Sequence, residues 1–233
     1  MGFLRLTLPV IEKSQDTPDV WTLRLDLSAH PVEYKAGQFV EVGFPGEELH
    51  RAFSISSSPS ERGHLDITVR RLPDGRLSPR LCDAPVGQVL DVKGPFGVFT
   101  YAPGQARDLL LVAGGTGVAP FRAMIKQVED AAGSERIRLL YSVRTPHDVI
   151  YRPELERWVR EGRIELTLTA TRGANGSWPH GTGRFPREAV VEAARGLDPL
   201  CFLCGPKDML VQTQGWLLEA GLERKRVKRE AWG

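Results

Sequence analysis

Two hydrophobic periods divide the chain. Up to about residue 103, apolar positions recur every second residue. Trp21, Leu23, Leu25 and Leu27 alternate with Thr22, Arg24 and Asp26, and Leu65, Ile67 and Val69 alternate with Asp66, Thr68 and Arg70. That is the pattern of strands with one buried face. Breaks recur at Ala36-Gly37, Pro45-Gly46, Ser58-Pro59, Pro73-Asp74-Gly75, Val86-Gly87 and Gly94-Pro95-Phe96-Gly97. Short strands at even spacing with turn chemistry between them predict an antiparallel β-barrel over 1–102. In this reading Asp66 and Asp91 alternate outward and form no acid–base pair.

Past Pro103-Gly104-Gln105 the pattern changes. A fully apolar strand over 109–113 leads to a helix over about 118–132. Strands at 137–143, 164–170 and 200–204 then alternate with helices at 153–160, 186–195 and 207–220. Apolar strands separated by helices predict a doubly wound α/β domain over 106–233, its parallel sheet covered on both faces. The basic run Arg224 to Arg229 reads as a solvated strand edge, with a patch that steers an acidic partner as the alternative.

Composition narrows the class without naming the chemistry. The 233 residues are 41% hydrophobic and 26% charged, with a net charge of +2. Those values describe globular domains and give no reason to expect nucleic acid. The first nine residues alternate as a strand would, with no signal-peptide block, and no apolar run has the ~20 residues that span a bilayer. Three cysteines make no disulfide framework. A soluble cytoplasmic protein is expected, with no membrane span. Cys201 and Cys204 form a C-x-x-C, but in a strand their sulfurs point to opposite faces, so no metal is expected there.

Two phosphate cradles carry the chemistry. In the second half, Leu109 to Ala113 feeds Gly114-Gly115-Thr116-Gly117-Val118-Ala119-Pro120. Glycines let the backbone turn and approach a pyrophosphate, and the helix that follows offers free N–H groups and a positive dipole. In the first half stand Arg51-Ala52-Phe53-Ser54 and Gly75-Arg76-Leu77-Ser78. Arg51 suits a bidentate phosphate contact, Phe53 a ring stack and Ser54 a ring-nitrogen hydrogen bond. Arg51 and Phe53 are expected on opposite faces of the strand, with Ser54 back on the arginine's side. His50 is as compatible with the surface as with a cofactor, and His180 reads as a loop residue.

In order and spacing these motifs resemble the ferredoxin-NADP reductase superfamily over nearly the whole chain. Arg51-Ala52-Phe53-Ser54 is similar to its Arg-x-Tyr-Ser flavin motif, and Gly75-x-x-Ser78 to its second flavin motif. Val86 to Gly97 is similar to its barrel-closing segment, and Gly114 to Pro120 to its pyrophosphate loop. Cys204-Gly205-Pro206-x-x-Met209 is similar to its nicotinamide motif, and Glu230-Ala231-Trp232-Gly233 to its C-terminal ending. The resemblance implies a flavin-binding barrel and an NAD(P)H-binding α/β domain, with FAD as cofactor.

It further implies FAD contacts from Arg51, Ala52, Phe53, Ser54, Val69, Arg70, Gly75, Arg76, Leu77, Ser78, Thr116 and Trp232. Contacts to NAD(P)H would come from Gly114, Gly115, Thr116, Gly117, Pro120, Arg144, Thr171, Arg172, Cys204, Gly205, Pro206 and Met209. Ser54, Cys204 and Glu230 are the expected catalytic residues. Phe53 departs from the family's tyrosine and predicts looser flavin retention.

Ser142-Val143-Arg144 and Thr171-Arg172 favour NADPH, with NADH as the alternative. The chain lacks a ferredoxin cysteine spacing, so an iron–sulfur partner would be a separate protein. The expected function is therefore an NAD(P)H-dependent flavoprotein reductase. It would serve a separate electron acceptor, a ferredoxin-like protein or an oxygenase component. An NAD(P)H:flavin reductase that releases reduced flavin, and a non-catalytic electron-transfer or regulatory subunit, are the alternatives.

Overall fold

The structure, a computed structural model, describes residues 4–231. It divides into two compact units. One holds the residues to Ala102 together with Ala119–Asp130; the other holds Pro103–Val118 and the residues from Ala131 onward.

The first unit is built on six strands, β1 (Leu4–Thr17), β2 (Val20–Asp26), β3 (Phe39–Gly43), β4 (His50–Ser54), β5 (His64–Arg70) and β6 (Val89–Phe96), with helix α1 (Ser78–Asp83) between the last two. They form one antiparallel sheet in the order β4-β3-β6-β1-β2-β5. Strand β1 makes the curvature possible. Its first half pairs with β6 (Leu4 opposite Gly94 to Pro9 opposite Val89), its second half with β2, and the register shifts between Val10 and Glu12. An irregularity of that kind bends a strand and increases its twist, so one strand can turn a corner. Closure comes from the residues after β4, where Ile55 bridges antiparallel to Ile67 of β5 and the Ser56 N–H donates to the Asp66 carbonyl. The inward set Leu8, Val10, Leu23, Leu25, Ile55, Leu65, Ile67 and Val69 fills the barrel.

One expectation is corrected here. Asp66 and Asp91 do leave the core face, but they are 1% and 5% exposed. Asp66 accepts from both Arg24 and Arg122, and Asp91 from Arg5 and His50. A period of two states which face a residue takes and not what comes to cover that face.

The second unit has β7 (Asp108–Gly114), a 3-10 turn (Gly115–Val118), β8 (Arg136–Val143), α3 (Arg152–Arg160), β9 (Ile164–Ala170), β10 (Gly181–Thr182), α4 (Arg187–Ala194), β11 (Leu200–Gly205), α5 (Lys207–Glu219) and β12 (Val227–Ala231). Helix α2 (Ala119–Asp130) follows the 3-10 turn in sequence and groups with the first unit. The parallel sheet runs β10-β9-β8-β7-β11-β12. Strand β7 is buried at all seven positions, which accounts for its unbroken apolar run. Strands after β7 extend the sheet first on one side and then, from β11, on the other. Connections therefore diverge at the carboxyl ends of β7 and β11, where an open α/β sheet binds its ligand. The basic run occupies a 3-10 turn at Arg224–Arg226 and the beginning of edge strand β12.

Candidate active site

In the second unit the switch point brings the predicted nucleotide residues together. The Gly117 α-carbon packs so closely on the end of β11 that a Cβ there would overlap the Cys204 carbonyl oxygen. A Cβ on Gly114 would lie 2.8 Å from Pro206 Cδ and 3.0 Å from Met209 Sδ, and one on Gly205 would lie 2.7 Å from Met209 Cε. Gly115 and Gly205 take φ of 54° and 157°, backbone that L side chains rarely adopt. The glycines thus let the turn after β7 seat directly on Cys204, Gly205 and Pro206. Thr116 is half-buried in that turn. Pro120 is buried in α2.

Cys204 is 2% exposed on β11, and its register partner on the neighbouring parallel strand is Glu230. Burial, and then the Glu230 charge, push the thiol well above its ordinary range, so it remains S–H at neutral pH. Burial also raises the Glu230 carboxyl to about 7. Cys201 and Leu203 join the apolar cluster on the other face of β11, where burial pushes the Cys201 thiol up to about 12.

The loops after β8 and β9 converge. Thr171 N–H donates to the Val143 carbonyl at 3.0 Å and Arg172 N–H to the Arg144 carbonyl at 2.7 Å. Arg144 and Arg172 are exposed side by side at the strand ends. Asp148, which lies further along the sequence, folds back into this corner. It caps Thr145 through both the backbone N–H and the hydroxyl, and it accepts from Arg144 at 3.3 Å. Arg144 therefore already carries a counter-charge.

In the first unit, β4 presents Arg51 and Ala52 exposed and Phe53 and Ser54 half-buried. The register corrects the expected faces. Arg51 pairs with Val42 and Phe53 with Val40, so the two share a face, whereas Ser54, opposite Phe39, takes the other. Arg51 donates to the His50 carbonyl at 2.8 Å and meets no carboxylate among the described residues. Gly75 packs against the turn, where a Cβ would lie 2.7 Å from Ser78 Oγ. The first turn of α1 has no side-chain cap, since Leu77 holds the N-cap position. A guanidinium with no carboxylate partner among the described residues, an uncapped helix start and a turn closed on a glycine fit a phosphate-bearing cofactor.

The remaining predicted residues are less available. Val69 and Leu77 are buried in the barrel core, and Arg70 is paired with Asp19 at 2.8 Å; Arg76 is exposed. Trp232 lies outside the described residues.

Sequence reasoning missed Arg122 and Lys126. Both lie on α2, and they bind Asp66 at 3.2 Å and Glu61 at 2.6 Å. The signal was a pair of cations at i,i+4 spacing. It also left His50 undecided; its side chain is 5% exposed and held by Asp91.

With this geometry in place, comparison with known proteins identifies the class. Residues 7–101 match the oxidoreductase FAD-binding domain and residues 111–215 the oxidoreductase NAD-binding domain. The chain belongs to the ferredoxin-NADP reductase superfamily and is an NAD(P)H-dependent flavoprotein reductase.

Among similar proteins, ferredoxin–NADP reductase B of Sorangium cellulosum is 35% identical over 85% of this chain and 85% of its own length. The glycine betaine monooxygenase reductase subunit of Chromohalobacter salexigens is 33% identical over 94% of this chain, which spans only 62% of that protein. NADH-cytochrome b5 reductase 1 of Lodderomyces elongisporus is 26% identical over 94% of this chain and 75% of its own length. Among solved structures, the ferredoxin reductase in carbazole 1,9a-dioxygenase superposes with a TM-score of 0.87 at 25% identity, covering all of this chain and 70% of that one. Among the described residues no helix is long and apolar enough to cross a membrane.

Proposed function

We propose that the protein oxidises NADPH and passes the electrons through FAD to a separate acceptor, a ferredoxin-like protein or an oxygenase component. The observation that carries this reading is the seating of the Gly114–Gly117 turn on Cys204, in register with Glu230, at the switch point of the parallel sheet. The turn's N–H groups hold the pyrophosphate. Cys204, a neutral thiol, positions the nicotinamide ring, and the Glu230 carboxylate stabilises positive charge that develops there. On the barrel, Arg51 and the first turn of α1 bind the flavin phosphates, Phe53 stacks on the ring, and Ser54 hydrogen-bonds near N5. Bound FAD supplies a hydride acceptor that can release electrons singly. Arg172 holds the adenosine 2′-phosphate. The relatives' reductase names support an oxygenase-type or ferredoxin-type acceptor.

A second reading has the protein reduce flavin as a substrate. Phe53 and the exposed position of Arg51 on an edge strand favour it. The spectrum after desalting separates the two. A flavin content near one per chain, with NADPH-dependent reduction of an added ferredoxin, supports the first. A colourless protein that oxidises NADPH only when free flavin is added supports the second. Protein that neither retains flavin nor oxidises NADPH in its presence overturns both.

A further inference from the structure

We infer that His50 is a positioning residue for flavin binding: clamped across Gly43 onto Asp91, it fixes the strand position from which Arg51 reaches the flavin phosphate. The inference rests on the reading of Arg51 as that phosphate ligand.

Gly43 of β3 is the register partner of His50 on one side and of Asp91 on the other. The imidazole therefore crosses a whole strand to meet its carboxylate, with Nε2 3.0 Å from Asp91 Oδ2. Only a residue without a side chain leaves room for that path. A Cβ on Gly43 would lie 2.5 Å from the Leu49 carbonyl oxygen and 2.9 Å from His50 Cδ2. The other ring nitrogen, Nδ1, sits 3.1 Å from the Glu48 carbonyl oxygen, so the ring also ties down the loop that enters β4. Asp91 is itself secured from β1 by Arg5, whose NH2 donates at 2.9 Å.

The clamp matters because β4 is the edge of the sheet and pairs with β3 alone along its named length. An edge strand held on one side has little to define its position. Here the residue immediately before Arg51 is pinned through its side chain to a strand two places away. Its carbonyl oxygen also receives the Arg51 guanidinium at 2.8 Å. Arg51 thus emerges from a backbone whose position is set by His50, Gly43 and Asp91. Pre-ordering a ligand group in this way raises affinity by removing the cost of ordering it on binding.

The test is FAD titration onto deflavinated protein, followed by quenching of flavin fluorescence. It is run for the wild type, His50→Phe, Arg51→Ala and the double variant. His50→Phe keeps a ring over Gly43 and removes both polar contacts. If His50 acts through Arg51, His50→Phe raises the FAD Kd by on the order of tenfold alone and by less than about twofold in the Arg51→Ala background, because the two effects are coupled. An unchanged Kd, or the same loss in both backgrounds, overturns the inference. Should His50→Phe lack a cooperative melt, Asp91→Asn, close in shape to the native residue, is read by the same criteria. Arg51→Ala binding FAD like the wild type would instead overturn the parent reading of Arg51, and the single-variant curves show which has failed.

Discussion

Cys204 and Glu230 are register partners on adjoining parallel strands, and the carboxylate's charge adds to burial in keeping the thiol protonated. In the proposed reading the pair divides two tasks. A buried S–H is a compact neutral contact for a ring, whereas a carboxyl raised to about 7 changes charge in the range where the enzyme would work.

The first prediction follows from that carboxyl. Loss of hydride leaves the nicotinamide positively charged, so on the proposed assignment the ionised form of Glu230 would favour the transition state. The rate of flavin reduction should rise with pH through about 7, and Glu230→Gln should flatten that limb. Stability runs the other way. The folded value lies above the ordinary 4.5, so the stabilisation linked to this group is complete below 4.5 and is lost as pH rises to about 7. Melting temperatures of wild type and Glu230→Gln should diverge in favour of the variant between about pH 4 and about pH 8, which bracket that interval. A wild-type rate profile that is flat across neutrality would remove Glu230 from the reaction.

The second prediction separates positioning from nucleophilic chemistry at Cys204. Its thiol is too protonated to attack anything at pH 7. Cys204→Ala should retain its fold and flavin while flavin reduction by NADPH in stopped flow slows by ~10²-fold, the scale of a lost positioning contact. Cys204→Ser should recover part of that loss. Wild-type reduction rates in the alanine variant would exclude the residue from the site.

The third prediction concerns the barrel's buried ion network. Burial raises the Asp66 carboxyl, but hydrogen bonds from Arg24 and the charges of Arg122, Arg24 and His64 outweigh it and hold the group below its ordinary value of 3.8. Asp66→Asn would leave two guanidiniums facing a neutral amide, and breaking a buried pair in this way costs about 3–5 kcal/mol. Urea denaturation at neutral pH should show that loss. Because the native value is depressed, the carboxylate's contribution is present above 3.8 and disappears as pH falls through the lower folded value. The difference between variant and wild type should therefore shrink in acid. A difference that persists undiminished at pH 2 would assign the effect to packing.

How far the sequence could be read depended on the distance between partners. Local patterns located β9 at 164–170 and the core strands of both sheets, because the hydrophobic period belongs to the strand itself. The glycines at 114, 115 and 117 announced a tight loop, and the fold puts that loop on Cys204. What escaped was contact across the sheet. Asp66 looked solvated because its cover, Arg122, lies 56 residues away. His50 was undecidable because its partner Asp91 is reached only across Gly43, whose missing side chain carries no periodic signal. Asp148 drew no reading from the sequence pattern, because it joins the site only through a capping box that turns it back onto Thr145 and Arg144.

That return of Asp148 sharpens the last prediction, the choice between NADPH and NADH. A 2′-phosphate needs cationic partners, and Arg144 and Arg172 are the arginines at the converged strand ends. Arg144 is shared with Asp148, so its charge is partly offset. Arg172 donates its backbone N–H to the Arg144 carbonyl, which places it at the end of β9 with an exposed side chain. A guanidinium bound to phosphate contributes ~1.5–3 kcal/mol, so Arg172→Ala should raise KM for NADPH by roughly ten- to a hundred-fold and hardly change it for NADH. Arg144→Ala should cost less, and Asp148→Asn, by freeing Arg144, should tighten NADPH binding provided that the capping of Thr145 survives in the amide. Steady-state kinetics with both nucleotides check all three variants. Equal losses with both nucleotides in Arg172→Ala, or a wild-type preference for NADH, would show that the corner formed by Arg144, Asp148 and Arg172 binds the ribose without selecting for its phosphate.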